Sequence, residues 1–171
     1  MLHPAIEMLD KGGLHGNGLF ATERIPEGTI LWRLTDPTYT WEEVQEWSGD
    51  RLKDFKRYGF QCGADRYSLP ADDSREVNHS CNPNMWWLDS YTLISRWDIR
   101  PGEELTYDYA SCDITQLMEM DCNCRAQGCR EIITNLDYLD SSWQKQFGLN
   151  LPPHVLDAIE SSSAGDFGGN A

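Results

Sequence analysis

Three cysteines, Cys122, Cys124 and Cys129, fall within eight residues of one another in a chain of 171. Thiols so closely spaced can share one ion, and a structural zinc takes four tetrahedral ligands. The fourth ligand must come from elsewhere: Cys62, Cys81, Cys112 or a histidine. Spacing alone does not choose among them. A ligand distant in sequence would fasten this segment to the body of the chain and make metal binding part of folding. The six cysteines could also be paired as disulfides in fifteen ways. Met1-Leu2-His3-Pro4 is not the basic-then-apolar text of a secretory leader, so reduced thiols or metal ligands are expected instead.

At this length the simplest expectation is one domain able to bury its own core. A hydrophobic content of 40% with 11% aromatics argues against disorder over most of it. The longest apolar run, Met85 to Leu88, is too short to span a bilayer, and a soluble intracellular protein is expected, cytoplasmic or nuclear. The 28 acidic residues outnumber 14 basic ones, for a net charge of −14. Such a surface repels phosphate backbones and favours Lys/Arg-rich protein partners. Seven acids against Arg100 alone lie between Asp98 and Asp121, around Tyr107-Asp108-Tyr109.

Glycines and prolines cut the first third into short β-elements, Ile6–Leu9, Leu19–Ala21 and Thr29–Arg33. Thr40-Trp41-Glu42-Glu43 is a capping box that opens a helix, with Trp41, Val44 and Trp47 on one face as core. A second short helix carries Leu52 and Phe55. Strand character returns at Arg66–Leu69, in a hairpin of Trp86–Leu88 with Tyr91–Ile94, and at Leu105–Tyr107. Alternation should bury only one of the tandem tryptophans. Helices are expected over Asn135–Gln146 and Pro153–Glu160, with a frayed Ser/Gly-rich tail from Ser161. The result is a mixed, β-dominated fold.

Asn78-His79-Ser80-Cys81, then Gly102-Glu103-Glu104-Leu105-Thr106-Tyr107-Asp108-Tyr109, then the cysteine trio stand in one order. Together they resemble a SET-domain protein-lysine methyltransferase with a post-SET zinc segment, of the compact stand-alone type. The resemblance covers about residues 3–133. It implies a SET domain over 3–112 built of several small sheets with a knot-like C-terminal segment. A post-SET zinc segment over 113–133, a helical extension over 134–160 and a flexible tail over 161–171 follow.

The same resemblance implies S-adenosyl-L-methionine as cofactor, held by Gly16, Asn17, Gly18, Tyr67, Asn78, His79 and Tyr109. It assigns catalysis to Tyr109, the number of methyl groups to Tyr107, and the far wall of the lysine channel to Tyr67. It also completes a structural zinc site of Cys122, Cys124 and Cys129 with Cys81. Trp143 or Phe147 is expected to close the cofactor pocket. The implied activity is methylation, mainly monomethylation, of a lysine in a basic, histone-like protein, without direct nucleic-acid or membrane binding. The rival reading is a catalytically silent SET-fold adaptor for basic peptides. Two departures from the family pattern stand out: Arg125 follows the second cysteine where glycine is usual, and the Ala71–Glu76 loop is short.

Overall fold

Turn residues punctuate the chain so often that few elements exceed eight residues, and the computed structural model describes residues 1–13, 16–115 and 118–165. Strands β1 (Ile6–Gly13) and β2 (Gly16–Ala21) are followed by β3 (Ile30–Arg33) and β4 (Thr38–Tyr39). Helices α1 (Trp41–Gln45) and α2 (Gly49–Tyr58) lead to β5 (Phe60–Gly63), β6 (Arg66–Ser68) and β7 (Asn78–His79). The hairpin β8 (Met85–Asp89) and β9 (Thr92–Ser95) precedes β10 (Glu104–Tyr107). The C-terminal part holds β11 (Glu119–Asp121), β12 (Ile132–Thr134), α3 (Ser141–Phe147) and α4 (Pro153–Gly165).

Among the described residues the strands form four small sheets, ordered β1-β2-β10-β7, β3-β9-β8, β4-β6-β5 and β11-β12. This is the expected β-dominated architecture. Strand β10 decides where the site lies. It runs antiparallel to β2 and parallel to β7, pairing Thr106 with Asn78 and Tyr107 with His79. A parallel pair needs a long connection, here the β8–β9 hairpin. Two motifs far apart in sequence therefore meet side by side.

Strand alternation sorts the tandem tryptophans as expected. Trp87 is 2% exposed, whereas Trp86 is half-buried with the Arg96 guanidinium over its ring. Trp87 donates from Nε1 to Ser111 Oγ at 2.9 Å, stacks with Phe60 and meets Tyr107 edge to face. The main core, including Leu31, Trp32, Ile99 and Leu105, thus abuts the candidate catalytic strand directly. Full burial of each such side chain contributes about 1.5–3 kcal/mol.

The capping box forms as read. Glu43 N–H donates to Thr40 Oγ1 at 3.2 Å, and Thr40 N–H donates to the Glu43 carboxylate at 2.7 Å. Trp41 and Trp47 pack with buried Val44, Phe55 and Tyr67.

Two expectations about the C-terminal region need correction. Asn135–Gln146 is not one helix: a 3-10 turn at Asp137–Leu139 is followed by α3. The break falls at Asp140, whose carboxylate accepts from Ser142 and Trp143 N–H, both at 2.8 Å. An N-cap aspartate in extended conformation starts a helix and so cannot sit inside one. Helix α4 also continues to Gly165, five residues beyond the expected Glu160. Ser161, Ser162 and Ser163 hydroxyls bond to carbonyls of the preceding turn, which lets serine remain helical. Residues 166–171 of the expected tail lie outside the described residues.

Candidate active site and metal centre

Tyr107 ends β10 and Tyr109 opens the 3-10 turn Tyr109–Ser111. Positions two apart in extended chain point the same way. Their rings lie 5.0 Å apart, and both line a cavity of about 890 Å³ that also includes Tyr67, Phe60, Trp87 and Asp113. The structure therefore brings the three predicted tyrosines to one cavity. Burial pushes the phenols of Tyr107 and Tyr109 well above the usual tyrosine range, so both keep their protons. Tyr109 donates from its hydroxyl to Val77 O at 2.8 Å. Tyr67, on β6, is 2% exposed, and its hydroxyl shares a 2.7 Å hydrogen bond with Thr115 Oγ1.

A smaller cavity of about 280 Å³ lies along the parallel β7–β10 pair, lined by Asn78, His79, Ser80, Glu104, Thr106 and Cys124 among others. Asn78 Nδ2 donates to Asn17 O at 2.9 Å and to Glu104 Oε1 at 2.7 Å. Both partners are acceptors, which settles the orientation of the amide. Its Oδ1 has no partner among the described residues. A free amide oxygen beside a carboxylate suits the ammonium end of an amino-acid-bearing cofactor such as S-adenosylmethionine. Gly18 makes this niche possible. A Cβ there would come within 2.5 Å of Glu104 Oε1 and 3.1 Å of Asn78 Nδ2. Gly16 takes φ +69°, a left-handed conformation that favours glycine.

His79 behaves differently from its neighbour. Its ring turns away from Asn78: Nδ1 accepts from Tyr109 N–H at 3.2 Å, and Nε2 lies 3.4 Å from Cys81 Sγ. Any part His79 plays in the smaller cavity is therefore expected to run through its backbone. Trp143 and Phe147 line neither cavity. They are buried with Ala110, Leu151 and Val155, so the expected aromatic lid is instead a second small core.

Donor atoms of His79, Cys81, Cys122 and Cys124 lie within 4.8 Å of one another, a group that could hold a metal ion. Cys129 packs against the same cluster and directs its thiol at Cys122 O, 3.7 Å away. Five candidates thus surround a four-ligand centre. The ring of His79 argues for Cys129 as the fourth ligand. Nδ1 accepts the Tyr109 N–H and lies 3.6 Å from Asp108 Oδ1; in the tautomer that the shorter contact favours, the proton sits on Nε2, which then donates rather than ligates. It can instead donate to the Cys81 sulfur.

Backbone N–H groups of Cys81 and Arg130 point at Cys124 Sγ and Cys81 Sγ, each at 3.4 Å, as suits thiolate sulfur. Burial raises the Cys81 and Cys122 thiols, the latter to about 11. Burial opposes ionisation of Cys124 too, but N–H donors from Cys81 and Ala126 and the neighbouring thiols hold it at about 7. A dication would complete what one thiolate begins by displacing the remaining protons.

Between the two tyrosines, Asp108 points to the opposite side and is 0% exposed. It accepts two 2.7 Å hydrogen bonds from Arg130, next to Cys129, and one of 3.1 Å from Trp143 Nε1. Gln146 Nε2 also donates to Cys81 O at 2.8 Å. The cysteine arm and α3 are therefore both tied to the end of β10. The sequence reading missed Glu104, Asp108 and Arg130. A buried acid flanked by same-facing tyrosines, and an arginine beside a cysteine of the clustered trio, were the available signals.

The SET domain family profile matches residues 16–110. The chain belongs to the SET-domain family. Histone-lysine N-methyltransferase ASHH3 of Arabidopsis thaliana is 32% identical over 131 residues, covering 67% of this chain and 34% of that protein. The H3 lysine-4 specific histone-lysine N-methyltransferase of Mycosarcoma maydis is 31% identical over 145 residues, covering 72% of this chain and 9% of that protein. This chain therefore spans about a third or less of these relatives. The crystal structure of KRYPTONITE in complex with mCHG DNA and SAH superposes with a TM-score of 0.57. It is 22% identical and covers 74% of this chain and 28% of that one, a likeness of fold.

Proposed function

We propose that this chain is a protein-lysine N-methyltransferase that uses S-adenosyl-L-methionine and adds mainly one methyl group to a lysine of a basic, histone-like protein. The observation that carries this reading is the convergence of Tyr107, Tyr109 and Tyr67 on one cavity, with the acceptor niche of Asn78 and Glu104 built on alternate positions of the same β7–β10 pair.

The cofactor, when bound, supplies a methyl group on a positively charged sulfur, already activated for displacement. Asn78 Oδ1 and Glu104 would hold its ammonium group, with the backbone of Gly16–Gly18 and His79 beneath it. Aromatic walls strip water from the incoming lysine, which favours the neutral amine near a positive charge. The protonated phenols of Tyr107 and Tyr109 orient the amine lone pair for in-line displacement, so alignment does most of the work. A water held by the Tyr107 hydroxyl would occupy the space a second methyl group needs, hence monomethylation.

Cys81, Cys122, Cys124 and Cys129 would hold one structural zinc in a closed site that performs no chemistry. The net charge of −14 supports a basic protein partner over direct binding to nucleic acid. A reducing compartment, cytoplasm or nucleus, suits the free thiols.

The test is incubation with labelled S-adenosylmethionine, core histones and whole-cell lysate, followed by mass spectrometry of the modified lysine. Label on lysine, mainly as monomethyl, is the expected result. Cofactor binding without transfer would support the silent adaptor, and absence of cofactor binding would support a purely structural zinc module.

A further inference from the structure

One wall of the large cavity carries a carboxyl group to which the motifs assign no role. Asp113 lies just beyond the 3-10 turn that begins at Tyr109 and lines the cavity together with Tyr67, Tyr107 and Tyr109. The segment bearing it is bolted to β5. Asp113 Oδ1 accepts from Gln61 N–H at 2.8 Å. The buried Gln61 side chain returns the contact, its Oε1 accepting from Ile114 N–H at 3.0 Å and Thr115 Oγ1 at 3.1 Å. Thr115 in turn holds the Tyr67 hydroxyl. One oxygen of Asp113 is therefore fixed, while the other meets, among the described residues, only the weak donor Cys112 Sγ, 3.5 Å away.

We propose that Asp113 is a substrate-contacting residue, whose second oxygen receives the ammonium group of a lysine entering the cavity. Three further observations support this. No ion pair reaches Asp113 among the described residues, and the basic residues lining the cavity stand elsewhere: Lys56 and Arg57 are exposed, and Arg75 lies 3.6 Å from Asp54. Glu119, the other acid on the cavity wall, is exposed to solvent. Finally, burial pushes the Asp113 carboxyl up to about 7, the mark of a negative charge without its counter-charge. A lysine ammonium is that counter-charge, delivered where the surrounding low dielectric strengthens the attraction.

This proposal rests on the methyltransferase reading, and its test can fail separately. Asp113→Asn keeps the shape and the acceptor for Gln61 N–H, and removes the charge of a half-buried group, so it is expected to fold. In methylation of core histones, KM for the protein should rise at least tenfold while affinity for S-adenosylmethionine stays unchanged. An unchanged KM in an active variant would overturn the proposal. The natural chain and the variant are also titrated with n-butylammonium chloride in the presence of S-adenosylhomocysteine, followed by ligand-observed NMR. Binding lost in the variant supports Asp113 even if no methyl transfer is found, and equal binding overturns it.

Discussion

The Arg130 guanidinium grips the Asp108 carboxylate through two parallel 2.7 Å hydrogen bonds. One partner sits between Tyr107 and Tyr109, at the end of β10, and the other beside Cys129. A bidentate pair of this kind holds orientation as well as charge. The geometry of Tyr109 thus depends on where the cysteine arm is docked. Removing one partner leaves a buried charge unpaired, at a cost of about 3–5 kcal/mol. Arg130→Ala is expected to lose about that much stability by urea unfolding. Trp143→Phe, which removes the 3.1 Å donor to the same carboxylate and part of the ring volume buried against Phe147, is expected to lose about 1–3 kcal/mol for the donor and more for the void left behind.

The metal centre can be apportioned by substitution. The chain should carry about one zinc, held by four thiolates. Cys129→Ser is expected to lose most of it on dialysis, whereas His79→Gln retains it, because Nε2 of His79 is read as a donor to Cys81 rather than a ligand. Metal analysis of the purified variants checks both. Zinc lost from His79→Gln and kept by Cys129→Ser would reverse the assignment.

The smaller cavity and the cysteine cluster share the segment Asn78–Cys81, so disturbance of one should reach the other. Cys81→Ser touches no proposed cofactor contact, yet it is expected to weaken S-adenosylmethionine binding by about tenfold, the scale of outer-shell changes at metal sites. Calorimetry on the variant and on chelator-treated natural protein measures this. Unaltered affinity in both would separate the two sites.

Tyr109→Phe is expected to reduce turnover by at least about a hundredfold, the scale of losing one positioned hydrogen-bonding group at a reacting centre. Its melting temperature should change little. Tyr107→Phe should remain active and shift products from mono- toward di- and trimethyl-lysine. Intact-mass spectrometry of the product reads the second effect directly.

Asp113 makes stability depend on pH. Its carboxyl is raised to about 7 in the folded chain, against about 3.9 when unfolded. A group raised on folding stabilises fully below about pH 4 and loses that contribution as pH rises through about 7. Asp113→Asn should therefore melt several degrees above the natural chain at pH 8, with the gap narrowing toward pH 5. Of the groups facing it, Cys62, Cys112 and Tyr107 are all raised and stay protonated across this range. His154 bonds to Cys112 O at 2.8 Å and is common to both proteins. Thermal melts at the two pH values decide it, and a constant gap would assign Asp113 a purely structural part.

Short-range features were legible from residues alone. The Thr40–Glu43 capping box depends on four consecutive positions, and burial of Trp87 rather than Trp86 needs only the two-residue period of a strand. The family, too, could be read because its motifs are short and occur in a set order. The helix break at Asp140 was also local, but a strong cap competing with helical periodicity is easily read as helix interior.

Contacts between distant segments were decided by the tertiary structure. Parallel pairing of β7 with β10 sets Asn78 beside Glu104 and turns the His79 ring toward Cys81 and Tyr109. Residue order carries the donors and acceptors but not their partners, because a side chain's neighbour across a sheet is set by register. The cysteine trio by itself required a distant fourth ligand and left its identity open. Folding surrounds that centre with both Cys129 and His79, and the backbone N–H of Tyr109 supplies the reason to choose the thiol.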